Sequence, residues 1–503
     1  MTDFDRRDVL RALTALGVTG VTASLFGGTA EAAVSPGGFA TGTPEKPAVS
    51  LGAAPRAGGP LDLKFAVAEQ FRPFDLIAPK FVQFDSPARP GTLVKTGIRP
   101  KAPYGTVTVQ VLDAGAPVVA GLAGAGVSVL GSYDAAAGQA AIEITTAGGT
   151  TVVKTAPADL RAPFGFAVVV NENAVTVLAD QGTGWRPLLT ERDQVRARID
   201  LRDPAVLGRL GYAYGSRGPA RLGRVRAGYY GQAGVRDPHV VQHADGRPYI
   251  RHGKLYLTMT NAGLGFFQQA HWAVWTLDLA DPTKLEQVAT LFFARDGVVL
   301  GDHAGQIVRD GDRFILLMSS WGDFSFTGVH VRHTVTRADV LSGVHVLPTE
   351  RLPLPTTVSS WDPALTKIDG RWHIAFVESP AQQPAFVFHP ALAAAPRGAD
   401  YDEGLTLLGA DVSVKQTEGT ILQRVGGRWY LFASDGDARE YPVYDLSLRK
   451  VGTLNAPYGT NIPHPMLVKI GNRWWLPTFD GTQYAEDVLG YGGHGDFILM
   501  RSS

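Results

Sequence analysis

The feature that most limits what this chain can fold into is a unit that returns five times in its second half. Each copy has a polar residue, an apolar strand, a tight turn and a second strand opening on a bulky residue. The copies are RDPHVVQHADGRPYIRHGKLYLTMT (236–260), GDHAGQIVRDGDRFILLMSSW (301–321), WDPALTKIDGRWHIAFVES (361–379), TEGTILQRVGGRWYLFASDG (417–436) and IPHPMLVKIGNRWWLPTFDG (462–481). Turn glycines Gly311, Gly370, Gly427 and Gly471 follow Asp302, Asp362, Glu418 and His464 by 9, 8, 9 and 7 residues, and the first copy carries an insertion before Gly253. Counted from Asp237, the copies lie 65, 60, 56 and 46 residues apart. A strand pair repeated at this spacing cannot cover its own apolar face. Radial stacking covers it without leaving long open sheet edges. The chain is therefore expected to be all-β, with a five-bladed β-propeller over 229–503.

The first half has a different pattern. Thr106–Asp113 (TVTVQVLD) and Gln139–Thr146 (QAAIEITT) alternate as half-buried strands do, and 164–180 reads as two strands around Asn-Glu-Asn. Gly and Pro, 59 and 33 of the 503 residues, punctuate these runs. Two sheets that bury their apolar faces against each other satisfy this pattern, so a lectin-like β-sandwich is expected over 61–228. Residues 33–60 are rich in Pro, Gly and Ala and read as a linker. Residues 1–32 read as a twin-arginine export signal: Arg6-Arg7 precedes an uncharged stretch from Ala12 to Ala30, and Ala30-Glu31-Ala32 is a small-x-small cleavage site. A bacterial protein carrying it is expected in the periplasm, in the cell envelope or outside the cell.

Charge and composition narrow the chemistry. Lys plus Arg equals Asp plus Glu at 47 each, so the basic excess that grips a phosphate backbone is missing and nucleic acid is not an expected partner. With no cysteine, thiolate metal sites, iron–sulfur clusters and cysteine nucleophiles are excluded. No stretch after the export signal has 18 consecutive apolar residues, so no membrane-spanning helix is expected. All twelve histidines and eight of the nine tryptophans lie in the second half, where the polar-ligand chemistry is expected.

In a propeller the innermost strands line the channel, so the residues that open them share one mouth. Here those residues are Asp237, Asp302, Asp362, Glu418 and His464, with His303 beside Asp302. Gathering like charges opposes folding, and such arrangements cluster at functional sites. Paired carboxylates are what glycoside cleavage requires: one protonated to release the leaving oxygen, one ionised to activate water or attack carbon. A third carboxylate nearby keeps the acid protonated. His464, His303, Asp302 and Asp237 also have the donor types of a metal site.

These motifs resemble those of the five-bladed propeller glycoside hydrolases of family 43 and their relatives, over about 265 of the 503 residues. The resemblance implies roles for individual residues. Asp237, in Arg236-Asp237-Pro238-His239, matches the general base. Asp362, in Trp361-Asp362-Pro363, matches the aspartate that orients and tunes the acid. Glu418, in Glu418-Gly419-Thr420, matches the general acid, without the proline that usually follows the glycine. His464 matches a fifth-blade histidine that helps hold a calcium or sodium ion near the axis through water, and no cofactor is required for the chemistry. The implied substrate is an oligo- or polysaccharide with arabinofuranosyl linkages, D-arabinan among them, cleaved with inversion. The fructan-cleaving relatives fit less well, because Asp237 lacks an Asn-Asp-Pro-Asn-Gly setting and Glu418 is not followed by cysteine. Asp302 has no counterpart in the pattern, and the sandwich precedes the propeller where family 43 modules more often follow it.

Arg236, His239, Asp302 and His303 are expected to bind sugar hydroxyls, and Trp272, Trp321, Phe324 and Trp361 to stack on sugar faces. Two other functions fit the same residues. A glycan-binding protein would use the aromatics without a working acid–base pair. A polysaccharide lyase would use Arg236 and His464 on a uronate.

Overall fold

The computed structural model describes residues 59–88, 92–324, 328–381, 386–481 and 495–503. The export signal and nearly all of the linker read from the sequence lie outside the described residues. Among the described residues no helix is long and apolar enough to cross a membrane.

Two six-stranded antiparallel sheets form the sandwich. One runs Arg186–Glu191, Ala174–Asp180, Phe164–Asn171, Tyr104–Asp113, Arg221–Gln232, Asp75–Pro87. The other runs Val94–Lys95, Gly211–Ser216, Val118–Ala123, Ser128–Asp134, Gln139–Thr146, Gly149–Pro157. The alternation read in Thr106–Asp113 sets the register. Val107, Val109 and Val111 are at most 1% exposed and meet Val129, Ile142 and Tyr212 of the facing sheet, while Gln110 points out. Each such valine contributes roughly 1.5–3 kcal/mol by leaving water.

Five further sheets are arranged as propeller blades. From the channel outwards, blade 1 runs Val235–Val240, Lys254–Asn261, His271–Asp278, Leu285–Arg295, Val298–Leu300. Blade 2 has His303–Asp310, Arg313–Ser319, Val331–Thr336, Glu350–Arg351. Blade 3 has Ser359–Ile368, Arg371–Ala381, Val387–Ala394, Thr406–Ala410, and blade 4 has Thr417–Val425, Arg428–Asp435, Pro442–Tyr444, Lys450–Thr453. Blade 5 is assembled from both ends of the described chain: Val468–Ile470, Arg473–Asp480, Asp496–Ser502 and, outermost, Phe65–Phe71. The sandwich expected to begin at residue 61 thus begins later, because Phe65–Phe71 pairs with the chain's last strand and closes the ring. Arg72 and Gln70 fix this closure on the Asp496 carboxylate at 3.1 and 2.9 Å.

The sandwich and the propeller share a core. Tyr104, Ala167, Val169 and Tyr230 from the sandwich pack with Leu264, Phe292 and Val299 of blade 1. The strand Arg221–Gln232 ends three residues before the first inner strand of the propeller begins.

Candidate active site

One local irregularity, repeated in four blades, builds the site. The inner strands of blades 1 to 4 each break register at a β-bulge, between Arg236 and His239, His303 and Gln306, Trp361 and Ala364, and Glu418 and Ile421. The bulges carry a left-handed residue at Asp237 (φ 52°), Ala304 (52°), Asp362 (47°) and Gly419 (69°). A bulge inserts one residue and re-aims its neighbours, so two successive side chains leave the ladder in each blade. The equivalent pairs are therefore Arg236-Asp237, His303-Ala304, Trp361-Asp362 and Glu418-Gly419.

This geometry corrects the ring expected from the sequence. Asp302 precedes its bulge and turns away: it is fully buried, paired through both oxygens with Arg295 and accepting the Gly322 amide at 3.0 Å, so it does not reach a ligand. Trp272 is likewise fully buried, packed with Phe293 and Ile307 inside the propeller, and stacks on no sugar. Trp361 is also fully buried, and its indole N–H donates to Glu418 Oε2 at 3.3 Å; it holds the acid in place and offers no face to a sugar.

Asp237, Asp362, Glu418, Arg236 and His464 do come together. Asp237 accepts from Arg236 Nε at 2.8 Å and from the Thr260 hydroxyl at 2.8 Å. The same guanidinium reaches toward Glu418, with Nη2 3.8 Å from Oε1, and lies over the Phe479 ring at 4.7 Å. One planar guanidinium spanning both groups keeps the nearest Asp237 and Glu418 oxygens within about 9 Å. Asp362 accepts the Gly419 amide at 2.9 Å, and its own amide donates to the Ser319 hydroxyl at 3.0 Å. His464 stands between the two aspartates, Nε2 lying 3.6 Å from Asp237 and 3.4 Å from Asp362. That nitrogen has no hydrogen-bond partner. The imidazole reaches this place because residue 419 is glycine; a Cβ there would run into the ring.

The carboxyl groups are 5–8% exposed, and their surroundings drive them apart. For Asp237, burial favours the neutral acid, but Arg236 and His464 outweigh it and lower the pKa below the usual aspartate value. For Asp362, burial and then the negative charges of Glu418 and Asp237 raise it well above that value. Burial holds His239, His303 and His464 each at a pKa of about 4, so all three are neutral imidazoles at neutral pH. Beneath the acids a small cavity is lined by His239, Gly305, Pro363, Thr420 and Ile421 together with Asp237, Asp362 and His464. Among the described residues no group of three His, Asp or Glu side chains is arranged to ligate a metal directly; the resemblance implies an ion held through water, and His464 lines this cavity.

A wall of aromatic rings flanks Trp361. Trp321 lies 5.7 Å from it, stacks on Phe267 at 4.8 Å and meets Phe324 edge-on at 5.2 Å. His303 sits parallel to Trp321 and pairs with the Phe267 carbonyl at 3.1 Å. His239 bonds the Val240 carbonyl through Nδ1, and its other nitrogen, on the cavity side, has no partner. Sequence reasoning missed Thr260, Ser319, Phe267 and Phe479. Only the Phe266-Phe267 doublet, exceptional in a loop, carried a signal.

No protein-family model and no curated protein matches the chain. Among solved structures it is similar to a GH43 β-xylosidase/α-arabinofuranosidase from a compost microbial metagenome, at 15% identity over 53% of this chain and 90% of that one, with a TM-score of 0.37. It is similar to a Penicillium chrysogenum α-L-arabinanase at 11% identity, covering 68% and 90% with a TM-score of 0.35. It is also similar to a Bacillus subtilis levansucrase variant at 10% identity, covering 51% and 81% with a TM-score of 0.38. These likenesses are distant, and the chemistry is read from the ring's own residues.

Proposed function

We propose that the protein is a glycoside hydrolase acting on furanosidic linkages of a polysaccharide, of the arabinofuranosyl class that the Asp-Pro and Glu-Gly motifs resemble. One observation carries the reading: three buried carboxyl groups share one ring, and around a single imidazole the pKa values of two of them are driven in opposite directions. Groups held apart in this way are what acid and base roles require.

In the proposed reaction Glu418 protonates the glycosidic oxygen, steadied by the Trp361 indole. Asp237, ionised beside Arg236, accepts a proton from the water that attacks the opposite face of the sugar. Asp362 and Glu418 oppose each other's ionisation, so the pair retains the proton that Glu418 delivers. The upper bound of about 9 Å admits both the ~6.5–9.5 Å spacing of inverting enzymes and the ~5–5.5 Å spacing of retaining ones, so the product anomer decides between them. Export by the twin-arginine route would place such an enzyme where polysaccharide is met.

The test is hydrolysis of arabinans and arabinogalactans by the wild type, Glu418→Gln and Asp237→Asn, with the product anomer followed by NMR. The expected result is inverted product from the wild type and a loss of about 10²–10⁴-fold in each variant. Undiminished hydrolysis by Glu418→Gln would remove it as the acid. A retained anomer would remove Asp237 as the base.

A further inference from the structure

The loop 262–270, between the second and third strands of blade 1, carries Phe266 and Phe267 into the aromatic wall, yet much of what holds it comes from the sandwich. Asn171 ends a sandwich strand and is 1% exposed; its side-chain oxygen accepts the Leu264 amide at 3.0 Å. The Tyr104 hydroxyl donates to the Gln268 carbonyl at 2.7 Å and lies 3.2 Å from the Ala270 carbonyl. Tyr230 bonds the Ala262 carbonyl at 2.9 Å. The fit is close: a Cβ at Gly301 would collide with the Tyr104 hydroxyl and the Ala270 carbonyl.

The sandwich turn that follows Asn171 is itself held in an uncommon state. Glu172 has φ 55° and is 3% exposed, with its amide bonded to the Pro103 carbonyl at 2.7 Å. A left-handed, buried, acidic residue persists only where its surroundings over-determine it. From this turn a continuous path runs to the acid: Asn171 to the loop, Phe267 to Trp321 at 4.8 Å, Trp321 to Trp361 at 5.7 Å, and the Trp361 indole to Glu418.

We infer that the sandwich is a working part of the site and not a separate sugar-binding module: Asn171 and Tyr104 are positioning residues that fix the 262–270 loop and, through it, the aromatic wall. As far as it concerns catalysis, the inference rests on the hydrolase reading above. On this reading the phenylalanines of the loop would meet the substrate, while the acid and base stand on other strands with their own side-chain partners. Loosening the loop should therefore weaken substrate binding more than the chemical step.

Two full-length variants test this. Asn171→Ala removes the acceptor for Leu264, and Tyr104→Phe removes the hydroxyl while keeping the ring in the shared core, so a folding failure of the first leaves the second to decide. Amide hydrogen exchange across 262–270 should accelerate by about tenfold or more, while the core strand Thr106–Asp113 stays protected. With debranched arabinan as substrate, KM should rise by about threefold or more and kcat stay within about twofold. Unchanged exchange in the loop would overturn the inference whatever the activity. Faster exchange with an unchanged KM would also overturn it, because the loop would then be held to no catalytic effect. If the wild type cleaves no arabinan, the hydrolase reading falls, while exchange still decides whether the sandwich fixes the loop.

Discussion

Asp237 and Asp362 face the same imidazole, and what separates them is which other charges each meets. Arg236, joined by His464 once that imidazole is protonated in acid, keeps Asp237 ionised against its burial, so its share of stability is present above the unfolded pKa of ~3.9 and is lost as pH falls through the folded value. Asp362 is the reverse. Its raised pKa gives stability that is full below ~3.9 and lost as pH rises through the folded value. Asp362→Asn should therefore be more stable than the wild type near pH 7. Its hydrolysis should fall, because the proton-sharing partner of Glu418 is gone. Thermal denaturation at pH 5 and pH 8 checks the first part, with the gain larger at pH 8. The acids themselves were legible in the sequence, because an acid recurs at matching places in the blades, twice as Asp-Pro and once as Glu-Gly. Arg295 was not: it stands seven residues before Asp302 in sequence, and nothing local shows that it takes that carboxylate out of the ring.

The element that makes the site is the bulge, and its four copies differ in strain. A side chain in the left-handed region costs about 1–2 kcal/mol where glycine costs none. Ala304→Gly should accordingly raise stability by about 0.5–1 kcal/mol with little change in activity, as denaturant titration and kinetics would show. Gly419→Ala should do the opposite. It puts a methyl group against His464 at φ 69°, so a loss of about 1–3 kcal/mol together with impaired hydrolysis is expected. The five strand pairs were legible because turn glycines and bulky residues punctuate them. The bulges were not, since only Gly419 among the four left-handed positions is a residue that favours that conformation. A one-residue insertion changes which face each side chain takes, which is how Asp302 was placed in the ring.

At the scale of the whole molecule, two joints hold the fold: the shared core between sandwich and blade 1, and the seam of blade 5. Arg72→Ala leaves Asp496, 6% exposed, with Gln70 as its remaining side-chain partner at the seam, and should cost roughly 3 kcal/mol. Chemical denaturation should show this without loss of kcat in the folded fraction. FAVAEQF could be read as a strand, but its pairing with residues 497–502 spans almost the whole described chain and has no local signal. The same seam bears on how the molecule would come apart. Blade 5 leads in from His464 and is completed by Phe65–Phe71, so releasing that outer strand would loosen the blade that follows the imidazole shared by the two aspartates.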